Sequence, residues 1–186
     1  MRVTRILNEE QEFISRFLAV LGRGIVVASH SKTGKPGFFL YASNFIHEYL
    51  EPNYLSKEEV LLKALEDAGF PTDEGPVGRM RSDHAKSREA AGMLSEASRA
   101  WQGGDEGGRA DAIWASSEYT DLMRNHFERL KNLVFPLLEQ TVTPEGEQRI
   151  AEALNRIEFS AHEAGAPDKY LKIVQMLEEE VKDWES

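Results

Sequence analysis

From Phe39 onward the apolar residues recur at three- and four-residue steps: Phe39, Ala42, Ile46, Leu50, Tyr54, then Leu61 or Leu62 and Leu65. That spacing is one face of a long helix and of nothing else. One place on the stripe, inside Tyr54-Leu55-Ser56-Lys57-Glu58-Glu59-Val60-Leu61-Leu62, is a carboxylate, Glu58. A lone carboxylate on a buried stripe costs several kcal/mol of desolvation. Glu58 is therefore expected to be neutral, paired with a cation, or bound to a metal.

The same periodicity organises the rest of the chain. Asn8-Glu9-Glu10-Gln11 reads as an N-cap with Gln at N3, opening a first helix with the stripe Leu7, Gln11, Ile14, Leu18, Leu21 and Ile25. Residues 29–37 read as a loop. A second helix covers about 38–68, with Pro52 inviting a kink. Pro76 suits N1 of a third helix whose stripe is Val77, Met80, His84, Ser87, Ala91, Leu94 and Trp101. The glycine-rich stretch 102–108 is expected to be the most flexible linker. A fourth helix, about 110–138, carries Tyr119, Leu122, His126, Leu130, Leu133 and Leu137, and Pro136 bends or ends it. Thr143-Pro144 starts a fifth helix to about 164, and a sixth runs from 167 to about 184 through Tyr170, Ile173, Val174, Leu177 and Val181. No strand signal exceeds Ile25-Val26-Val27, and there is no internal repeat.

The expected fold is all-α: an up-down-up-down four-helix bundle over about 8–138 with two additional C-terminal helices over about 143–184, all in one domain, 1–186. Such bundles hold metals between facing helices. With 186 residues the chain can bury a full core without staples. It has no cysteine, which removes disulfides, thiolate metal sites and cysteine nucleophiles and suits a reducing cytoplasm. Its N-terminus shows no signal-type apolar segment, and no window is expected to reach membrane-spanning length. The net charge of −10 disfavours nucleic acid and anionic membranes as partners.

Several short passages are more specific. Phe45-Ile46, Lys57-Glu58-Glu59 with Leu61-Leu62, Gly69-Phe70-Pro71, Gly75-Pro76-Val77-Gly78-Arg79-Met80, Asp83-His84 with Arg88, and His126 with Phe135-Pro136 follow one another in a fixed order. Together they resemble the bacterial hemerythrin-like proteins, the cation-binding HHE family. The resemblance implies the four-helix bundle, two non-haem irons held by histidines and two bridging carboxylates, and a role as sensor or carrier of oxygen, nitric oxide or iron. Set against that pattern, Gln11 and Tyr54 stand where histidines are implied, and Leu130 where the second carboxylate is implied, with Lys131 beside it to bring a cation near the same place. Glu58, His84 and His126 remain. Glu59 belongs to a neighbouring register that rotates it off the stripe.

The surviving set, Glu58, His84 and His126 with Tyr54 as a phenolate, can hold one iron or zinc ion. A diiron pair is not expected, because it needs the missing carboxylate and imidazoles. The metal-free reading is a buried cluster of Glu58, a protonated histidine, Tyr54 and Gln11. It is placed first, one ion second and the diiron pair last. An empty site would tolerate Glu58→Leu. The function expected is a non-catalytic sensor or scaffold, metal-free or with one metal, that responds to a small ligand or engages a protein partner. The alternative is a working non-haem iron sensor or carrier. Elsewhere, His47-x-x-x-Glu51 has ligand spacing but is expected to be a solvated pair flanking Pro52, and His30 and His162 are expected at the surface. Lys32-Thr33-Gly34-Lys35 lacks the glycine spacing of a phosphate loop.

Overall fold

The computed structural model describes residues 1–163 and 165–186, so the expected end of the fifth helix near 164 lies outside the described residues. Among the described residues six helices follow one another. They are α1 (Arg2–His30), α2 (36–67), α3 (Gly75–Gln102), α4 (106–141), α5 (Pro144–Glu163) and α6 (Ala166–Glu185). No strand forms among the described residues, and Ile25-Val26-Val27 lies inside α1. The linkers between the first four helices are a few residues long, which forces consecutive helices to run antiparallel.

α1 starts seven residues earlier than the Asn8 cap predicts, at Arg2 with Met1 as its cap. Val3 and Leu7 continue the buried stripe toward the N-terminus, so burial overrides the local capping signal. The first amide groups are satisfied from outside the helix: a Glu147 oxygen of α5 accepts from the Arg2 N–H at 2.6 Å and from the Val3 N–H at 3.4 Å. The terminal ammonium pairs with Glu139 at 3.2 Å. Contrary to expectation, α1 is long and apolar enough to span a membrane, since Phe13 to His30 carries only Arg16 and Arg23 as charges. Its apolar stripe packs against α4 and α6.

Two helices contain wide, π-type turns. In α2 these occupy Ile46–Leu55 around Pro52, between ordinary segments Pro36–Phe45 and Ser56–Asp67. In α4 they occupy Leu130–Val134, followed by Phe135–Thr141 with Pro136 at its start. Both prolines thus sit in or just after a widened turn, where the missing N–H and the bulk of the ring are accommodated. The widening also rephases the helix. In α2 the strict four-residue steps Ile46, Leu50, Tyr54, Glu58 would drift by about 40° each on an ordinary helix, yet all four stay buried. In α4 it turns Val134 and Leu138 inward, leaving Leu133, expected in the core, 42% exposed.

α3 and α4 form the most closely packed pair. Ala90, Ala91, Ala97 and Ser98 face Gly108, Ala112, Ala115 and Ser116, and a methyl group at Gly108 would meet the Trp101 nitrogen at 2.6 Å and the Ala97 oxygen at 2.8 Å. The linker expected to be flexible is a tight turn. Gly104 (φ +97°) lets the Asp105 N–H donate to the Ala100 carbonyl, and the Asp105 side chain accepts from the Gly107 N–H at 2.9 Å. α6 fills the gap between α1 and the start of α2 with Tyr170, Val174, Leu177 and Val181, while α5 covers the end of α2 with Ile150 and Leu154. Thr143 caps α5 as expected, accepting from the Gly146 N–H at 3.1 Å.

Candidate metal centre

α2, α3 and α4 each deliver one side chain to the same buried point. Glu58 enters from the first ordinary turn of α2 after the wide segment, His84 from mid-α3, and His126 from α4 one turn before its own wide segment. All three are fully enclosed. The His84 Nε2 lies 2.8 Å and the His126 Nε2 2.6 Å from the same oxygen of Glu58, Oε2. One ligand-type atom from each residue falls within 4.8 Å of the others. The three residues singled out in the sequence therefore do come together.

Each imidazole has a second carboxylate behind it. The Nδ1 of His84 meets Glu59 Oε1 at 2.8 Å, and the Nδ1 of His126 meets Asp83 Oδ2 at 3.4 Å. Behind these stand arginines: Arg81 pairs with Glu59 and Glu66, and Arg129 donates from Nε to Asp83 at 2.9 Å. The charges alternate along Glu59, His84, Glu58, His126, Asp83 and Arg129. Three carboxylates face two imidazoles and one guanidinium, so the network is neutral when both histidines are protonated.

The electrostatics follow from that order. Burial works to raise the Glu58 pKa, but His126 and His84 overcome it and hold the carboxyl at about 2. Burial likewise works against a charged His126, and Glu58 and Asp83 outweigh it, raising the imidazole to about 9. His84 is raised in the same way by Glu58 and Glu59. The His84 hydrogen bond lowers Glu59.

Tyr54 is wholly buried beside this group. Burial first, then the Glu58 charge, raises its phenol well above the ordinary range, so it stands there as a neutral phenol. Its hydroxyl, the Glu58 Oε1 and the Gln11 Nε2 have no hydrogen-bond partner among the described residues. Lys131, expected to bring a cation near Leu130, points to solvent. The wide turn starting at Leu130 rotates it away, and Arg129 supplies the positive charge instead.

The sequence reading also missed Glu59, Asp83 and Lys57. Glu59 is off the apolar stripe, yet its side chain reaches back to His84. Lys57 is 1% exposed because α5 covers the opposite side of α2, where its ammonium pairs with Glu10 at 2.7 Å and with Glu158. The adjacency Asp83-His84 was the one available signal for Asp83. Of the remaining candidates, His47 and Glu51 form a partly exposed pair at 3.5 Å, and His30 and His162 lie at the surface. Trp101 and Trp184 pack on Phe39 and Phe38, whereas Trp114 is exposed. A cavity of about 550 Å³ between α2 and α5 reaches Glu59 but not Glu58.

The donor set fits one cation. Two imidazole nitrogens and a carboxylate converge, each imidazole is oriented by an outer carboxylate, and the spare oxygens of Glu58 and Tyr54 are adjacent. Among the described residues Glu58, His84 and His126 form the one group of such ligand atoms close enough to hold an ion. In comparison with known proteins, the family described as Hemerythrin HHE cation binding domain matches residues 2–138. No curated protein and no solved structure matches the chain.

Proposed function

This chain belongs to the hemerythrin HHE cation-binding domain family, and from that premise we propose that it is a non-catalytic, single-ion member acting in the cytoplasm as a sensor of a divalent metal. The observation that carries the proposal is the meeting of His84 Nε2 and His126 Nε2 at one oxygen of Glu58. Those three residues would hold the ion, with Tyr54 as a neutral oxygen donor. Glu59 and Asp83 orient the imidazoles, as outer carboxylates do in metal sites. A bound iron or zinc ion would supply a Lewis-acidic point able to take a small ligand.

Without the ion, two protons hold the same side chains together. His84 and His126 must each release Nε2–H to become ligands, so one divalent charge replaces two positive charges and the network stays neutral. That exchange alters the contacts joining α2, α3 and α4, which is what a sensor requires. The metal-free scaffold is the second reading, and it is favoured by the pairing of both nitrogens of each imidazole with carboxylates. Under that reading Phe159, 64% exposed on α5, and Leu171 on α6 are the surface for a protein partner. Nucleic acid and membrane are not among the proposed partners.

Metal analysis of the purified protein tests the choice. One iron or zinc ion per chain, lost in His84→Ala and in His126→Ala, is the expected result. A metal-free protein that also refuses added Fe²⁺, Zn²⁺ and Co²⁺ would establish the scaffold reading instead.

A further inference from the structure

The buried centre lies at one level of the bundle, and a second polar level lies one heptad away. Seven residues before Glu58 on α2 is Glu51, and seven before His126 on α4 is Tyr119, the two helices running in the same direction. Seven after His84 on the antiparallel α3 is Ala91, and the His47 Nε2 sits 3.3 Å from the Ala91 carbonyl oxygen. Along the ordinary turns of α4 the levels are about 10 Å apart, while in α2 the same seven residues pass through the wide segment. His47 and Glu51, the ligand-spaced pair that the centre leaves unused, therefore open this second level to solvent.

Several buried oxygens at and near the two levels lack partners among the described residues. The Tyr119 hydroxyl is fully buried with no hydrogen-bond partner among the described residues, and the same holds for Glu51 Oε1, Glu58 Oε1 and the Tyr54 hydroxyl. Burial first, and then the charges of Glu51 and Glu58, raise the Tyr119 phenol well above its ordinary range, so it stands there as a neutral hydroxyl. Buried oxygens left in this way call for water or a cation.

The other two approaches to the centre are guarded by positive charge. Glu59 is paired with Arg81, and Asp83 with Arg129 and Arg79. Glu51 has no arginine or lysine partner among the described residues.

We propose that His47 and Glu51 form the port, and Tyr119 the intermediate step, of a polar route by which a divalent cation reaches Glu58. The proposal rests on the reading of the centre as a cation site. At each stage an oxygen replaces part of the ion's water shell, and the negative port raises the local cation concentration. Because a route lowers the barrier equally in both directions, its loss slows uptake and release together and leaves the equilibrium affinity in place.

Stopped-flow absorbance of Co²⁺ uptake by the metal-free protein tests this. Glu51→Gln is expected to slow uptake about tenfold and release by the same factor, with Kd unchanged. Tyr119→Phe gives a smaller slowing of the same kind, and the exposed control Glu48→Gln gives none. Wild-type rates in both route variants would overturn the route while leaving the centre intact. A changed Kd at an unchanged uptake rate would make Glu51 a ligand and overturn it as well. Failure of the wild-type protein to bind Co²⁺ would remove the cation centre and the route with it.

Discussion

His84 and His126 share one acceptor: their Nε2 atoms lie 2.8 and 2.6 Å from Oε2 of Glu58, with the rings 5.0 Å apart. Two imidazolium ions so close repel each other. Glu58 between them and Glu59 and Asp83 behind them outweigh that repulsion, which makes the centre a strongly coupled unit.

Stability is therefore expected to depend on pH with a definite sign. His126 is raised from 6.5 to about 9, so its contribution is present in full below about pH 6.5 and is lost as pH rises through 9. The loss is up to about 3 kcal/mol. Glu58 is lowered from 4.5 to about 2, so its contribution is full above about pH 4.5 and is lost as pH falls through 2. Urea unfolding of metal-free protein between pH 6 and 10 checks the first window, and a flat profile there would contradict it.

Metal binding at pH 6, below the ordinary imidazole value from which their carboxylates raise both histidines, should release about two protons per ion. Calorimetry in buffers of different ionisation enthalpy counts them. Affinity should rise by about a hundredfold per pH unit while both histidines remain charged. Release of fewer than one proton would mean that the histidines enter the site neutral.

Replacing Glu58 by Leu is expected to destabilise the protein by about 3 kcal/mol, not to be tolerated as an empty site would allow. The change strands two buried Nε2 atoms that have no other acceptor. Converting Glu58, His84 and His126 together to Leu should recover most of the loss, since Glu59 and Asp83 keep their arginines. Equal destabilisation of the single and triple variants in chemical denaturation would refute this.

Lys57→Met should cost about 3 kcal/mol by leaving Glu10 and Glu158 without their shared cation. It should also loosen α5, which buries only Ile150 and Leu154 through its described apolar side chains. Limited proteolysis at residues 142–143 reports that directly. Unchanged protection would show that the apolar contacts hold α5 by themselves.

Gly92 and Gly108 should respond oppositely to alanine. A methyl group at Gly92 meets open space, and Gly92→Ala should stabilise by about 0.5–1 kcal/mol through helix propensity. At Gly108 it meets α3 backbone, and Gly108→Ala should cost about 1–3 kcal/mol. Thermal unfolding of the two variants compares them.

The helices were legible because burial of a 3.6-residue stripe leaves a local record. Phe39, Leu50, Tyr54, Glu58, His84 and His126 all point where the spacing places them. The wide turns were not legible, and with them the outward swing of Leu133 and Lys131. A single added residue per turn rephases everything downstream, and only packing selects the phase. Asn8 misled for a related reason: a good local cap loses to Val3 and Leu7 when a carboxylate from α5 can satisfy the first amides.

By itself the sequence determined an all-helical chain with one glutamate and two histidines turned inward, since periodicity acts within each helix separately. Only the tertiary structure decided that the two imidazoles meet at one oxygen, that Glu59 and Asp83 stand behind them, and that Lys57 is buried. Those relations join residues 25 to 101 positions apart, and nothing local encodes such distances. They arise when apolar stripes on different helices must share one interior and every charge drawn in with them must find an opposite.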